Sequence, residues 1–152
     1  MAYTEGPRYY EFVSVGSEPG LQPENLRLNP QNPFFFDYEQ NKVKITSLDD
    51  CYYQPISDNY PSLDSFVYDR DSCQLSAFQV TIAGKHDFSP KGVTALRNLG
   101  QDLKINNLKI WVIVVVFEGF EVTLNVDPSL FHSLDLQVYM LNVTENQLYP
   151  DL

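Results

Sequence analysis

Two polar side chains, Asp64 and Gln79, lie in a stretch of the chain that otherwise has the pattern of two β-strands, Leu63–Tyr68 and Leu75–Ile82. The segment between them, Asp69-Arg70-Asp71-Ser72, has the composition of a tight turn. If the strand ends Tyr68 and Leu75 are opposed across this turn, the numbers of opposed residues sum to about 143, which places Asp64 opposite Gln79 with about 5 Å between their Cβ atoms. A carboxylate and an amide oxygen at that spacing either hold one divalent cation or form a plain polar pair.

The elements after the hairpin predict how this pair is positioned. Ser89-Pro90 offers an N-cap followed by proline at the first helical position, which predicts a helix that ends at about Leu103. Leu108–Phe117 is an almost unbroken apolar run, typical of a strand buried on both faces. A second short helix is predicted at Asp127–Leu134, and a last strand at Leu136–Val143. This order predicts an α/β fold with a mixed central sheet flanked by helices, in which a right-handed parallel βαβ crossover joins the hairpin to the buried strand.

The first third of the chain is rich in proline and asparagine, so long regular elements are not expected there. Short strands are predicted at Tyr9–Val15 and Lys42–Leu48, and a short helix at Pro23–Leu28. Phe34-Phe35-Phe36 is too apolar for an exposed loop, and it either packs on the core or forms an aromatic patch for a partner. The length of 152 residues predicts a single domain, with an irregular part at 1–50 and a core at 54–149.

The net charge of −10 argues against a nucleic-acid-binding protein, whose affinity depends on basic groups that neutralise phosphates. The cations are unevenly distributed, because five of the ten Lys and Arg residues lie in a 25-residue span that contains only two acids. These five are Lys85, Lys91, Arg97, Lys104 and Lys109. The span is therefore either a solvated helix face or a local basic footprint.

Signals of cellular location point to the inside of a cell. The first residues lack a basic region followed by an apolar run, so no signal peptide is predicted. The longest apolar run, Ile110–Phe117, is too short to span a bilayer, so no membrane partner is expected. Free thiols are the expectation for Cys51 and Cys73 in a reducing compartment, although the sequence leaves open whether they pair.

The arrangement as a whole resembles a known nuclease fold. An aspartate on a hairpin strand, an acid or amide on the next strand, then a helix and a buried strand is the layout of the restriction-endonuclease-like PD-(D/E)xK fold. Four pieces of the region 54–149 resemble more closely the C-terminal nuclease-like domain of Crinkler and RHS effectors: Pro61–Phe66, Ala77–Thr81, Lys85-His86 and Leu136–Val143. No G-x-x-x-x-G-K-[ST] motif of that family's NTPase module occurs, so the chain resembles the terminal domain standing alone.

This resemblance implies Mg²⁺-dependent phosphodiester cleavage, in which two carboxylates hold the metal and a lysine stabilises charge. Asp64 corresponds to the first carboxylate, and Asp64 and Gln79 are the predicted metal ligands. Gln79 replaces the family's second acid, and Thr81 replaces its lysine. Lys85 and His86 are the predicted catalytic groups on the phosphate side.

Two functions are compatible with these residues. The first is a divergent Mg²⁺-dependent nuclease-like effector domain that cleaves or binds nucleic acid, with Glu11 as a candidate extra carboxylate and a nuclear location if it behaves as the effectors do. The second is a non-catalytic protein-interaction module on the same fold, in which Gln79 and Thr81 are ordinary polar positions on a half-exposed strand. Because Asp64 and Gln79 together carry one formal negative charge, Mg²⁺ binding is predicted to be millimolar or absent. The oligomeric state is not indicated.

Overall fold

The computed structural model of the protein describes residues 8–14, 24–28, 33–82, 84–125, 127, 129 and 136–144. Within these residues the chain forms one long helix, α1, and eleven strands, β1 to β11. The helix spans Lys91–Asp102, and the strands in chain order are Arg8–Ser14, Glu24–Leu28, Pro33–Glu39, Lys42–Lys44, Tyr52–Pro55, Ser65–Asp69, Gln74–Thr81, Lys85–Asp87, Lys109–Phe117, Thr123–Asn125 and Leu136–Val143.

Nine of these described strands form one mixed sheet in the order β2-β1-β11-β9-β7-β6-β5-β3-β4. β7, β9 and β11 are parallel neighbours, while β6 and β7 are the two strands of an antiparallel hairpin. β8 and β10 pair in parallel as a separate two-stranded sheet. The predicted α/β class is confirmed, as is the parallel connection from β7 through α1 to β9.

The centre of the sheet is buried on both faces, which explains the apolar run of β9. Every second residue of β9 points to the face of the sheet that packs against α1. These residues form one core cluster with side chains of the helix: Ile110, Val112, Val114 and Val116 from β9, and Val93, Leu96 and Leu99 from α1. Ile113 points to the other face and belongs to a second cluster with Phe78, Tyr139, Leu141 and Val143. Each fully buried aliphatic side chain contributes roughly 1.5–3 kcal/mol to folding. The core therefore fixes which side of β7 each polar residue occupies.

A loop clamps the start of α1 close to the beginning of β6. The Tyr60 hydroxyl donates a hydrogen bond of 2.6 Å to the carbonyl oxygen of Gly92, and the Ser89 N–H donates to Ser62 Oγ at 3.0 Å. A Cβ atom at Gly92 would collide with the carbonyl oxygen of Pro61. Burial raises the pKa of the Tyr60 phenol far above its ordinary value, so this donor keeps its proton. The loop and the helix are thus locked together immediately before Asp64.

Most boundaries after residue 60 agree with the sequence pattern. β11 has the predicted bounds, β9 starts one residue later than predicted, and α1 starts at Lys91, after Pro90 rather than on it. The predicted helix at Asp127–Leu134 lies outside the described residues except for two positions, where the Ser129 N–H donates to Asp127 Oδ1 at 3.0 Å. This hydrogen bond lowers the pKa of the Asp127 carboxyl.

The first third of the chain shows two departures from expectation. The predicted helix at Pro23–Leu28 is wrong, because Glu24–Leu28 is strand β2, paired antiparallel with β1. The alternation of Leu26 and Leu28 with polar residues is a strand pattern. Pairing of this segment with β1 outweighs the helix propensity of its residues. The predicted strand at Lys42–Leu48 is shorter, ending at Lys44. Cys51 and Cys73 are both free thiols.

Candidate functional site

Asp64 lies immediately before β6 and is bound to β7 by two hydrogen bonds. Its N–H donates to the carbonyl oxygen of Phe78 at 2.8 Å, and its Oδ2 accepts from the N–H of Val80 at 2.6 Å. The ladder pairs Ser65 with Phe78 through Asp69 with Gln74, so the register predicted for the hairpin is confirmed. Asp64 itself lies one residue before these pairs, and its opposition to Gln79 stays a prediction. The carboxylate extends the hairpin by capping an N–H that β6 does not reach. One of its two oxygens is therefore already engaged by the protein.

Gln79 and Thr81 lie on the face of β7 that packs against α1. They are 7 % and 6 % exposed, so the prediction of a half-exposed strand at these positions is wrong. The reason is the parallel neighbour: Gln79 and Thr81 pair with Val114 and Val116 of β9, which belong to the main core. A metal ion that binds a phosphate group must be accessible from solvent. The buried side chains of Gln79 and Thr81 offer little such access.

Lys85 and His86 lie in β8, outside the main sheet, and their side chains are outside the described residues. β7 ends at Thr81, and Lys85 begins a separate strand that pairs Lys85 with Thr123 and His86 with Leu124 of β10. The strand of Gln79 and Thr81 thus ends before Lys85, and the backbone arrangement gives no reason to place Lys85 beside Asp64. The catalytic roles of Lys85 and His86 stay predictions.

Glu11, the extra carboxylate suggested by the sequence, belongs to β1. Two strands, β11 and β9, separate β1 from β7. At about 4.8 Å per strand this places the backbone of Glu11 roughly 14 Å from β7. The backbone arrangement thus does not bring Glu11 next to the Asp64–Gln79 pair.

Asp64 opens into a pocket of about 320 Å³ at the junction of β5 and β6. A second carboxylate, Asp58, lines the same pocket, together with Gln54, Ser57 and Tyr60. Sequence reasoning missed Asp58 and Gln54, because only the loop between β5 and β6 brings them to Asp64. The described residues contain no cluster of three or more His, Cys, Asp or Glu side chains arranged to hold a metal ion. The pocket is polar and suits hydrogen bonding.

A second candidate surface is the aromatic triplet in β3. Phe34 and Phe35 are 51 % and 55 % exposed, while Phe36 is 2 % exposed in the core. Ile56 is also exposed and follows β5, with its N–H donating to the Phe36 carbonyl oxygen at 2.9 Å. The two predictions for the triplet therefore divide between its residues, because Phe36 is core whereas Phe34 and Phe35 are exposed. Phe34 lies on the Phe36 side of β3, with its ring centre 5.5 Å from that of Tyr53, and Phe35 points to the other side. Among the described strands β4 pairs only with Asp37–Glu39, so both side chains lie along a stretch of β3 that β4 does not cover. We call Phe34, Phe35 and Ile56 the aromatic patch, which lies on both faces of this part of the sheet.

The basic span is spread along α1 and the turn that follows it. Lys91, Lys104 and Lys109 are exposed, and Arg97 is half-buried. The twelve residues of α1 span about 18 Å, and this length separates Lys91, at the start of the helix, from Lys104, which follows its end. They form a line of separated charges and not a compact phosphate-binding surface.

In the described ranges, no helix is long and apolar enough to cross a membrane. No protein-family model, curated protein or solved structure matches the chain.

Proposed function

We propose that this chain is a non-catalytic binding domain that acts inside a cell by engaging a protein partner through the aromatic patch. The observation that carries the proposal is the exposure of two adjacent phenylalanines, each more than half accessible to solvent. Exposed aromatic clusters on soluble proteins are typical of interaction sites, where aromatic anchors supply much of the binding energy. The net charge of −10 favours a partner with a basic rim around an apolar centre.

The predicted catalytic residues support the same proposal. Gln79 and Thr81 are buried, and one oxygen of Asp64 is held by the backbone of β7. Neither Gln79 nor Thr81 carries the charge that a metal-dependent phosphodiesterase needs at those positions. These residues serve the hairpin and the core, which accounts for their presence without catalysis.

We expect the double substitution Phe34→Ser/Phe35→Ser to weaken partner binding at least tenfold, since each aromatic anchor contributes more than about 1 kcal/mol at an interface. The measurement is a pull-down from cell extract, followed by titration of the purified partner. Phe120→Ser is the matched control, because Phe120 is also 50 % exposed but lies in the turn after β9. Asp64→Ala is the second control. Equal loss in the Phe120→Ser variant would contradict the proposal.

A second candidate function is a divergent Mg²⁺-dependent nuclease-like effector domain that acts on or binds nucleic acid. The position of Asp64 immediately before β6, where it binds β7, and the parallel β7–α1–β9 unit favour it, because this is the layout that the resemblance to the restriction-endonuclease-like fold implies. In this alternative Asp64 and Gln79 hold the metal, and Lys85 and His86 face the phosphate. Binding to a polyanion column would then depend steeply on salt.

A plasmid assay separates the two functions. We expect no nicking of supercoiled DNA by the wild-type protein or by Asp64→Ala, with Mg²⁺ or Mn²⁺ present, because the second carboxylate and the lysine are missing. A nuclease of known activity serves as the positive control. Wild-type cleavage that Asp64→Ala abolishes would overturn the non-catalytic proposal and establish the nuclease.

Restoring the acid tests the metal site itself. We expect Gln79→Glu to lower the free energy of unfolding by about 2 kcal/mol at pH 7, because burial disfavours a charged carboxylate. Burial raises the folded-state pKa of the introduced carboxyl, so the loss is small below about pH 4 and grows as the pH rises through that value. Urea unfolding at pH 4 and pH 7 measures it.

The same variant, titrated with MgCl₂, distinguishes a metal site from a buried polar pair. For the wild-type protein we expect little or no thermal shift at millimolar Mg²⁺, since bound metal stabilises only by RT ln(1 + [Mg²⁺]/Kd). Mg²⁺ that restores the stability of Gln79→Glu, but not of Gln79→Glu/Asp64→Ala, would show that the two positions share a cation and would favour the nuclease alternative.

A further inference from the structure

A pocket of about 240 Å³ lies beside the C-terminal half of α1, and none of its lining residues belongs to the aromatic patch. Arg97 and Gln101 line it from the helix, and Asn107, Leu108 and Ile110 line it from the turn that leads into β9. Neither predicted function uses this pocket. Its lining combines one cation, two amides and aliphatic side chains.

Arg97 is the unusual member of this lining. Its Nε atom is fully covered by protein, and it has no hydrogen-bond partner among the described residues. A guanidinium is always charged in proteins and has no acceptor of its own, so a buried N–H of this group is costly until it meets an acceptor. No carboxylate belongs to the described lining of the pocket, so the charge is not neutralised there.

We propose that this pocket binds a small organic oxyanion, with its carboxylate or phosphate group on Arg97. Because Nε is covered by protein, the two terminal Nη amino groups are the donors of Arg97 left for a ligand, and they form a fork that matches two oxygens of such a group. Gln101 and Asn107 supply amide donors, while Leu108 and Ile110 contact the apolar body of the ligand. A volume of 240 Å³ suits a molecule of a few carbon atoms with one anionic group.

The charges around the pocket favour this class of ligand. Lys104 and Lys109 flank the lining residues along the chain and are exposed, and Asp102 is the one acid between Arg97 and Lys109. Although the whole chain has a net charge of −10, this segment is net positive and attracts an anion. The basic span noted in the sequence thus acquires a specific role at its centre.

The experiment is a ¹⁵N-HSQC titration of the full chain with three probes: inorganic phosphate, acetate and hexanoate. We expect saturable shifts of the amide signals of residues 97, 101 and 107, with a Kd of about 1 mM for at least one probe. Phosphate binding without hexanoate binding identifies a phosphate ligand, and the reverse identifies a carboxylate with an apolar chain. Sodium chloride at matched ionic strength is the control for screening.

Arg97→Met should weaken binding at least tenfold, while Lys91→Met, which removes the same charge from an exposed site on the same helix, should leave the affinity unchanged. Arg97→Lys keeps the charge but loses the fork, so we expect this variant to bind the probe at least threefold more weakly. It provides the test if Arg97→Met does not fold. Equal shifts with sodium chloride, unchanged binding in the Arg97 variants or equal loss in Lys91→Met would each overturn the proposal.

Discussion

We expect Phe36→Ala to lower the free energy of unfolding by about 3–5 kcal/mol, and Phe35→Ala to change it by less than about 1 kcal/mol. The two residues are neighbours of the same type in the same strand, but they point to opposite sides of β3. Phe36 is 2 % exposed and Phe35 is 55 % exposed. Truncation of Phe36 leaves a cavity, and truncation of Phe35 removes side-chain atoms that water already reaches.

The contacts of Phe36 explain the size of the expected loss. Its ring centre lies 5.4 Å from that of Phe66 and 5.8 Å from that of Tyr60, the latter in an edge-to-face arrangement. Tyr60 in turn holds the first turn of α1. Urea unfolding with matched m-values measures both variants. A similar loss for both substitutions would mean that Phe35 is also a core residue, and the aromatic patch would then not exist.

This difference also determines how the function is tested. Removing the whole triplet Phe34–Phe36 would unfold the protein, and any lost interaction would then be uninformative. Restricting the change to Phe34 and Phe35 separates binding from folding.

Gly92→Ala is expected to destabilise the fold by about 3 kcal/mol, although alanine is the better helix former by roughly 1 kcal/mol. The added Cβ would meet the backbone carbonyl oxygen of Pro61, which cannot move without breaking the clamp between Tyr60 and the helix. For a chain of this size the loss corresponds to a fall in Tm of roughly 6–12 °C. Differential scanning calorimetry measures it.

Gly100→Ala is the matched control in the same helix. Its Cβ would lie 2.5 Å from Leu108 Cδ2, the far end of a flexible side chain that borders the pocket beside Arg97. Leu108 can turn into that space, so the packing cost is partly offset by the gain in helix propensity, and we expect a net change within about 1 kcal/mol. Equal losses for Gly92→Ala and Gly100→Ala would contradict the special role of the Pro61 contact.

The sequence predicts the second half of the fold well because its signals there are local and strong. The turn, predicted at 69–72 and found at 70–73, sets the register of β6 and β7, and the proline at 90 sets the start of α1. Short strands such as β8 and β10 span only three residues, too few for a periodic pattern, and the sequence alone does not indicate them. Pairing partners distant in the chain decide those elements.

The candidate site was predictable in register but not in burial. The register of β6 and β7 follows from counting along the hairpin. The burial of Gln79 depends on β9, which pairs with β7, and on α1, which packs on the same face, and both come later in the sequence. A polar residue at a strand position is normally interpreted as exposed. Asp58 enters the pocket of Asp64 only through the path of a loop, which no periodicity encodes.

The pairing of β1 with β11 has a consequence for the order of folding. Val13 and Met140 are opposed in the sheet although well over a hundred residues lie between them in the chain. Contacts of such long sequence separation form late and slow the folding rate, because a large loop must close first. At a synthesis rate of about 5–20 residues per second, β1 waits roughly 6–25 s on the ribosome for the strand that pairs with it. During that time one edge of β1 is open, and this interval is when the nascent protein is most exposed to aggregation or to capture by a chaperone.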